Sequence, residues 1–365
     1  MDKLLVAANT RGGLRTNGTH NQFLTDSFSI LSRVTTTSRL RYRPDCLEFA
    51  LASERIADIL ALPSVTATFE QLCNERAEEL GRKLKASNRT YLNVMWSGGI
   101  DSTTIVISLL KTWSAEDLKR VRILLSSASI QEYPRFYREY IAPRFRGQIL
   151  NSTLIPYSAF LNDSLLVTGE LGDQLFGSDL LRTAAWIGKS EDAAVRASDW
   201  KDLAVRIFAS SLKSDVESAR RFLEVYEPIV EECPHTVDSL HMFLWWWNFT
   251  QKWQHVKFRI MLYMDEPRLT ECYWNMVHFF DCPRLQRWAI QNPDLKIRDT
   301  WESYKWIAKE LIVDYTKDFE YRTKRKRGSL KNISYFHNER TMITADGRFI
   351  SDASPYVNSA FTYRH

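Results

Sequence analysis

The chain has few cysteines, and none of them stand in a metal-binding pair. The five, Cys46, Cys73, Cys233, Cys272 and Cys282, are odd in number and never in CxxC spacing. That argues against a disulfide framework and a structural zinc site, and predicts buried or partly buried thiols in a reducing cytosol. Long apolar runs are missing too. The first, Leu4 to Ala8, is too short for a signal peptide, and no stretch reaches the length of a membrane span. A soluble cytoplasmic protein with no membrane partner is expected. The seven histidines are scattered. His235 and His241 are six apart, off a common helical face, so none is assigned a metal. Nor is charge concentrated in one sign. Lys and Arg total 49 against 44 Asp and Glu, a net +5 over 365 residues. This fits a small anionic substrate and does not argue for a nucleic-acid surface. No internal repeat is present.

What is present is ample apolar content, 44%, enough for one large or two moderate domains with a sizeable core. Residues 9–22 read as loop, and 27–53 as short strands. Residues 68–87 carry Phe69, Leu72, Cys73, Ala77, Leu80 and Leu84 at helical steps. Strand and helix then alternate. Strands are predicted at 91–96, 121–126 and 165–169, and helices at 100–113 and 131–142, the last limited by Pro134. Such alternation predicts a parallel sheet covered by helices, with ligands at the carboxyl ends of strands. Beyond about residue 175 the pattern turns mostly helical, over 199–212, 215–232, 236–264 and 301–316. The aromatic run Met242–Trp247, with Trp253, reads as core or interface packing. The segment RTMIT-ADG-RFIS reads as a hairpin turning at Asp346-Gly347.

The joint between the first strand and its helix reads WSGGIDST, residues 96–103. Gly98 and Gly99 let the backbone turn sharply and approach a ligand. The following helix start offers amides and the positive dipole end, and Ser97, Ser102 and Thr103 add hydroxyls. The joint is an anion cradle. Asp101 would repel a phosphate unless a cation lies between them, and magnesium resolves that conflict. No Lys follows the glycines, so this is not the GxxxxGK[ST] loop.

The joint resembles SGGxDS, the pyrophosphate loop of the N-type ATP pyrophosphatases. These enzymes split ATP between its α and β phosphates, adenylate a substrate and release pyrophosphate. A second stretch, LLVTGELGDQLFGS at 165–178, resembles the asparagine synthetase pattern GEGxDExFGG. Gly169, Glu170, Asp173, Phe176 and Gly177 match it, whereas Leu171 and Ser178 replace glycines and Gln174 replaces an acid. Residues 279–312 resemble a third family region through Phe280, Asp281, Arg284, Ala289, Pro293, Lys296, Arg298, Lys305 and Ala308. The run YRTKRKRGS, 321–329, stands where the family has RxKxGF.

The chain is thus similar to the synthetase part of asparagine synthetase over about residues 68–329. That resemblance implies an α/β fold, a parallel sheet with flanking helices of the adenine nucleotide α-hydrolase type followed by a mostly helical extension. The implied organisation is an N-terminal segment 1–67, a synthetase-like domain 68–328 and a tail 329–365. It implies ATP and Mg2+ as cofactors, with Asp101 and Asp173 as metal ligands. Ser97, Gly98, Gly99, Asp101, Ser102, Thr103, Gly169 and Asp173 would bind the nucleotide, with Leu125 and Ser126 at the adenosine. Glu170 would act as acid/base. Lys326, or else Lys324, would stabilise the oxyanion; Lys257 and Arg259 are weaker candidates.

No counterpart of the family's glutaminase domain, with its N-terminal cysteine nucleophile, is expected, because Asp2 follows Met1, the first cysteine is Cys46 and fewer than 70 residues precede the synthetase-like part. The nitrogen would come from free ammonia, a separate protein or an amine. The expected activity is an ATP-dependent amidoligase that joins a small-molecule carboxylate to an amine or ammonia. The alternatives are modification of a nucleotide or nucleic-acid base through an adenylated intermediate, and a non-catalytic nucleotide-binding regulator. The acid, the amine and the oligomeric state stay open.

Overall fold

A computed structural model describes residues 4–5, 40–42, 47–48, 58–152, 163–177, 198–212, 215–224, 227–251, 253, 256, 275–298, 303–324, 342–343 and 349–350. The chain divides into two compact units. One, the sheet unit, comprises Ala67–Gly169, Tyr263–Asp281 and Ala308–His365. The other, the helical unit, comprises Met1–Thr66, Glu170–Leu262 and Cys282–Ile307.

In the sheet unit, helix α1 (Phe69–Ala86) starts at a capping box. The Thr68 side chain accepts from the Gln71 amide, and the Gln71 side chain accepts from the Thr68 amide. Its apolar stripe is buried as the spacing predicts. The central sheet is parallel and five-stranded, in the order β6-β5-β4-β7-β8. Its strands are β4 (Tyr91–Met95), β5 (Val121–Leu125), β6 (Ile149–Asn151), β7 (Ser164–Thr168) and β8 (Met276–His278). β4, β5 and β7 are the predicted strands; β6 and β8 are additions. The strands are almost wholly buried, as expected for a sheet covered by helices.

Helix α2 (Ile100–Thr112) follows β4 and packs on α1. It buries Thr104 and Ser108 without stranding their hydroxyls, which donate to the carbonyls of Ile100 (3.0 Å) and Thr104 (2.9 Å). The predicted 131–142 helix begins earlier, because Ser126 caps α3 (Ser127–Glu132) through Ser129. Pro134 then opens a new turn, and a π-helical turn follows at Tyr137–Ile141. Between sheet strands, Asn93 donates to Ser164 (3.0 Å), and Thr168 bonds the His278 ring (2.7 Å).

The helical unit contains α4 (Gly172–Phe176), α5 (Trp200–Leu212), α6 (Val216–Glu224), α7 (Leu240–Gln251) and α8 (Pro283–Gln291). Its core gathers Trp200, Leu203, Phe208, Phe243, Leu244 and Trp247. The aromatic run is therefore core, as expected. Trp245 and Trp246 are completely buried. The predicted 301–316 helix is α9 (Trp306–Thr316), which from Ala308 onward belongs to the sheet unit. Two short antiparallel sheets complete the described elements. One is β1 (Leu4–Leu5), β2 (Leu40–Tyr42) and β3 (Leu47–Glu48). The other is the C-terminal hairpin of β9 (Met342–Ile343) and β10 (Phe349–Ile350), where β9 lies near β6. The hairpin turn at Asp346-Gly347 is outside the described residues.

Candidate functional site

β4 is the first strand of the parallel sheet, with β5 on one side and β7 on the other. The order reverses between β4 and β7, and the crevice at such a reversal is where open α/β sheets take ligands. The residues 97–103 leave the carboxyl end of β4 at that point. Gly98 has φ +75°, and Gly99 caps α2 with extended backbone. The first intrahelical bond runs from Thr103 N–H to the Gly99 carbonyl (3.0 Å), so the amides before Thr103 form the open end of the helix.

The hydroxyls brace the turn. Ser102 Oγ accepts from the Ser97 amide (3.1 Å) and donates to the Gly99 carbonyl (3.2 Å). Ser97 Oγ accepts from the Gly99 amide (3.3 Å) and lies 3.1 Å from Ser102 Oγ. Thr103 Oγ1 accepts from the indole of buried Trp96 (3.2 Å), pinning the helix start to the strand end. Thr103 is wholly buried, so its hydroxyl is a bracing group. Asp101, in the first turn of α2, stands at its positive end.

Gly169 follows β7 and presses on this loop. A Cβ there would stand 3.1 Å from the Ser102 nitrogen and 3.2 Å from Asp101 Cβ. The glycine thus lets the end of β7 pack closely on Asp101 and Ser102. Two predicted site segments, 66 positions apart if counted from Thr103 to Gly169, meet at adjacent strand ends.

α3 closes the other side of the turn. A Cβ on Gly98 would fall 2.3 Å from the Ser129 carbonyl oxygen and 2.8 Å from Glu132 Cβ. Leu125 ends β5, fully buried, and Ser126 is spent on the α3 cap: its amide donates to Ser129 Oγ (3.1 Å), and its Oγ accepts from the Ser129 amide (3.4 Å). Glu132 is a buried carboxylate that sequence reading does not single out. The Lys324 ammonium donates to its main-chain carbonyl and lies 3.9 Å from its carboxylate. The same ammonium sits over the Tyr133 ring at 4.5 Å and the Tyr321 ring at 5.2 Å, rings stacked 4.5 Å apart. The Tyr133 hydroxyl donates to Asp318 (3.0 Å), and burial first, with the Asp318 charge, raises its pKa. Lys324 is therefore joined to the loop through Glu132 and α3. Lys326, Lys257 and Arg259 are outside the described residues.

At β8, the buried Arg76 of α1 donates to the carbonyls of Phe279 (3.0 Å) and His278 (3.2 Å). This fixes the turn carrying Phe280 and Asp281 beyond the strand's carboxyl end.

Glu170 and Asp173 belong to the helical unit, whose boundary falls between Gly169 and Glu170. Leu171, where the family pattern has glycine, has φ +76° and precedes α4. Asp173 pairs with Lys305 Nζ at 2.6 Å, with Lys305 buried and Asp173 37% exposed. Lys305 has φ +54°. Gln174, replacing the family's acid, donates to buried Asn248 (3.0 Å), which donates to the Asp173 carbonyl (3.2 Å). Gly177 (φ +69°) ends α4 against Trp245, which a Cβ would approach within 2.7 Å.

Lys296 serves the fold of the same unit. Its ammonium donates to the Ala289 carbonyl (2.5 Å) and lies 4.0 Å from the Trp245 ring centroid, capping the end of α8. Burial pulls its pKa down to about 7, with Asp294 and Cys233 acting in the opposite sense.

Among the described residues, no group of three or more His, Cys, Asp or Glu side chains is placed to hold a metal. Asp101 offers a hard oxygen ligand of the kind magnesium prefers, with phosphate oxygens to supply others. Searched against protein-family models, curated proteins and solved structures, the chain matches none.

Proposed function

We propose that this protein is an ATP-dependent, AMP- and pyrophosphate-forming ligase, similar to the synthetase part of asparagine synthetase, that joins a carboxylate to an amine or ammonia. The observation supporting this most strongly is the packing of Gly169 on Asp101 and Ser102. Stretches matched separately in sequence come together at the strand-order reversal of a parallel sheet, and a glycine of the second lets it pack on the first.

In this reading the α2 amides and the 97–103 loop bind the pyrophosphate part of ATP. Magnesium, when bound, neutralises phosphate charge, and Asp101 would hold it. Asp173, the second ligand expected from the resemblance, belongs to the other unit and already has its charge balanced by Lys305. Lys324 stabilises negative charge growing during adenylation, since a fixed ammonium costs little reorganisation at that moment. Ser126 meets the adenosine through its surroundings rather than its hydroxyl, which the α3 cap uses. Glu170 takes the proton of the incoming amine.

The test supplies ATP, magnesium and pools of acids and amines to the purified chain and measures pyrophosphate. Release that depends on one pool and is lost in Asp101→Asn supports the reading. Tight ATP binding without turnover in any pool points to a regulator. Consumption of a nucleotide or nucleic acid, read by mass spectrometry, points to base modification.

A further inference from the structure

We propose that Glu132 and Lys309 are positioning residues that hold Lys324 beside the 97–103 loop. Glu132 fixes the ammonium, and Lys309 fixes the main chain that carries it. The inference rests on the reading that Lys324 meets anionic charge at that loop, and all three residues lie in the sheet unit.

A lysine on four flexible carbons is a poor electrostatic catalyst unless something holds it, because ordering its side chain costs entropy at each encounter. Glu132 supplies that order. Its side chain is only 3% exposed, and its Cβ lies against Gly98, inside the turn. Its carbonyl accepts from Lys324, and its carboxylate stands 3.9 Å away. The stacked Tyr133 and Tyr321 rings form a floor beneath the ammonium.

Lys309 acts at the other end of the side chain. It is completely buried on α9. Its ammonium donates to the carbonyls of Arg322 (3.0 Å) and Lys324 (3.1 Å). These carbonyls close the 3₁₀ turn Phe319–Arg322 and the step after it. Burying an ammonium is costly, so spending two of its hydrogen bonds on this short stretch makes the backbone position of Lys324 strongly preferred. The 3₁₀ turn is further held where Arg322 forks onto Glu310 (2.6 and 2.9 Å).

The test uses the full chain and two probes. The first is inorganic pyrophosphate with magnesium, titrated by calorimetry. Lys324→Met should weaken it by roughly tenfold or more, and Glu132→Gln by about threefold to tenfold, the scale for losing a close, partly buried ion pair. The double variant should be no weaker than Lys324→Met alone. Additive losses would overturn the Glu132 role. The second probe is limiting acetic anhydride, with acetylation of Lys324 followed by mass spectrometry without nucleotide. Glu132→Gln and Lys309→Met should each raise its rate several-fold relative to other lysines; unchanged rates in both overturn the proposal. Lys309→Gln, which can still donate to a carbonyl, should lie between wild type and Lys309→Met. Absence of pyrophosphate binding in the wild type would defeat the functional reading, while the acetylation rates would still decide the positioning.

Discussion

Gly98 has two independent reasons to be glycine. Its φ of +75° is one that side chains resist, and a Cβ would strike the Ser129 carbonyl at 2.3 Å. That neighbour is backbone, which cannot swing away. Gly98→Ala should therefore cost about 2–4 kcal/mol, combining left-handed strain with overpacking. Urea unfolding would measure it, and a loss under 1 kcal/mol would contradict the described turn. Gly99 is different: its extended backbone suits any residue, so its glycine is not required by φ. The residue scale also shows what sequence could reveal. A run of glycines and hydroxyls between two apolar segments predicts a sharp strand-to-helix turn from chemistry alone, and the turn is there. Glu132 and Lys309 were invisible there, since each acquires its role from Lys324, 192 and 15 positions away.

At the scale of elements, the most instructive piece is the turn leading into α4. Leu171 stands at φ +76° where the related pattern has glycine, yet its side chain is 1% exposed. Burial and backbone strain oppose each other there. Leu171→Ala should lose the packing and keep the strain, costing about 2–5 kcal/mol. Leu171→Gly should lose the same packing but relax the backbone, recovering about 1 kcal/mol relative to alanine. Thermal or urea denaturation of the pair would show glycine as the better replacement, the reverse of the order in a helix or strand; alanine as the better one would refute the strained turn. Strands β4, β5 and β7 were legible because five buried apolar-rich residues stand between turn signals. β6 and β8 were not. Each has three residues, too few for any period, and they become strands because a neighbouring edge offers hydrogen bonds. The α3 start at Ser127 was likewise missed, because Ser126 caps it within a run of serines that reads equally as loop.

At the scale of the whole molecule, the parallel α/β half and the helical half were both expected from the change of period near residue 175. The division of the chain into interleaved segments was not, because long-range return of the chain leaves no local pattern. The helical unit should impose an acid limit on stability. His241 is fully buried, and burial first, then the Lys296 charge, lowers its pKa to about 4. The unfolded chain binds a proton at the ordinary histidine value, 6.5, and the folded chain only near 4. Stability is thus complete above 6.5 and falls as the pH drops toward 4, by about 3 kcal/mol from this group. His241→Asn should flatten that part of the curve relative to wild type; parallel curves between pH 7 and 4 would exclude the assignment.

The role proposed for the strand-end loop at 97–103 is cleavage of ATP between its α and β phosphates. The most direct measurement is a phosphorus NMR spectrum of ATP and magnesium incubated with the protein and the pool that supports turnover. The account predicts AMP and pyrophosphate in equal amounts, both absent with Asp101→Asn. ADP and orthophosphate as the products would contradict it.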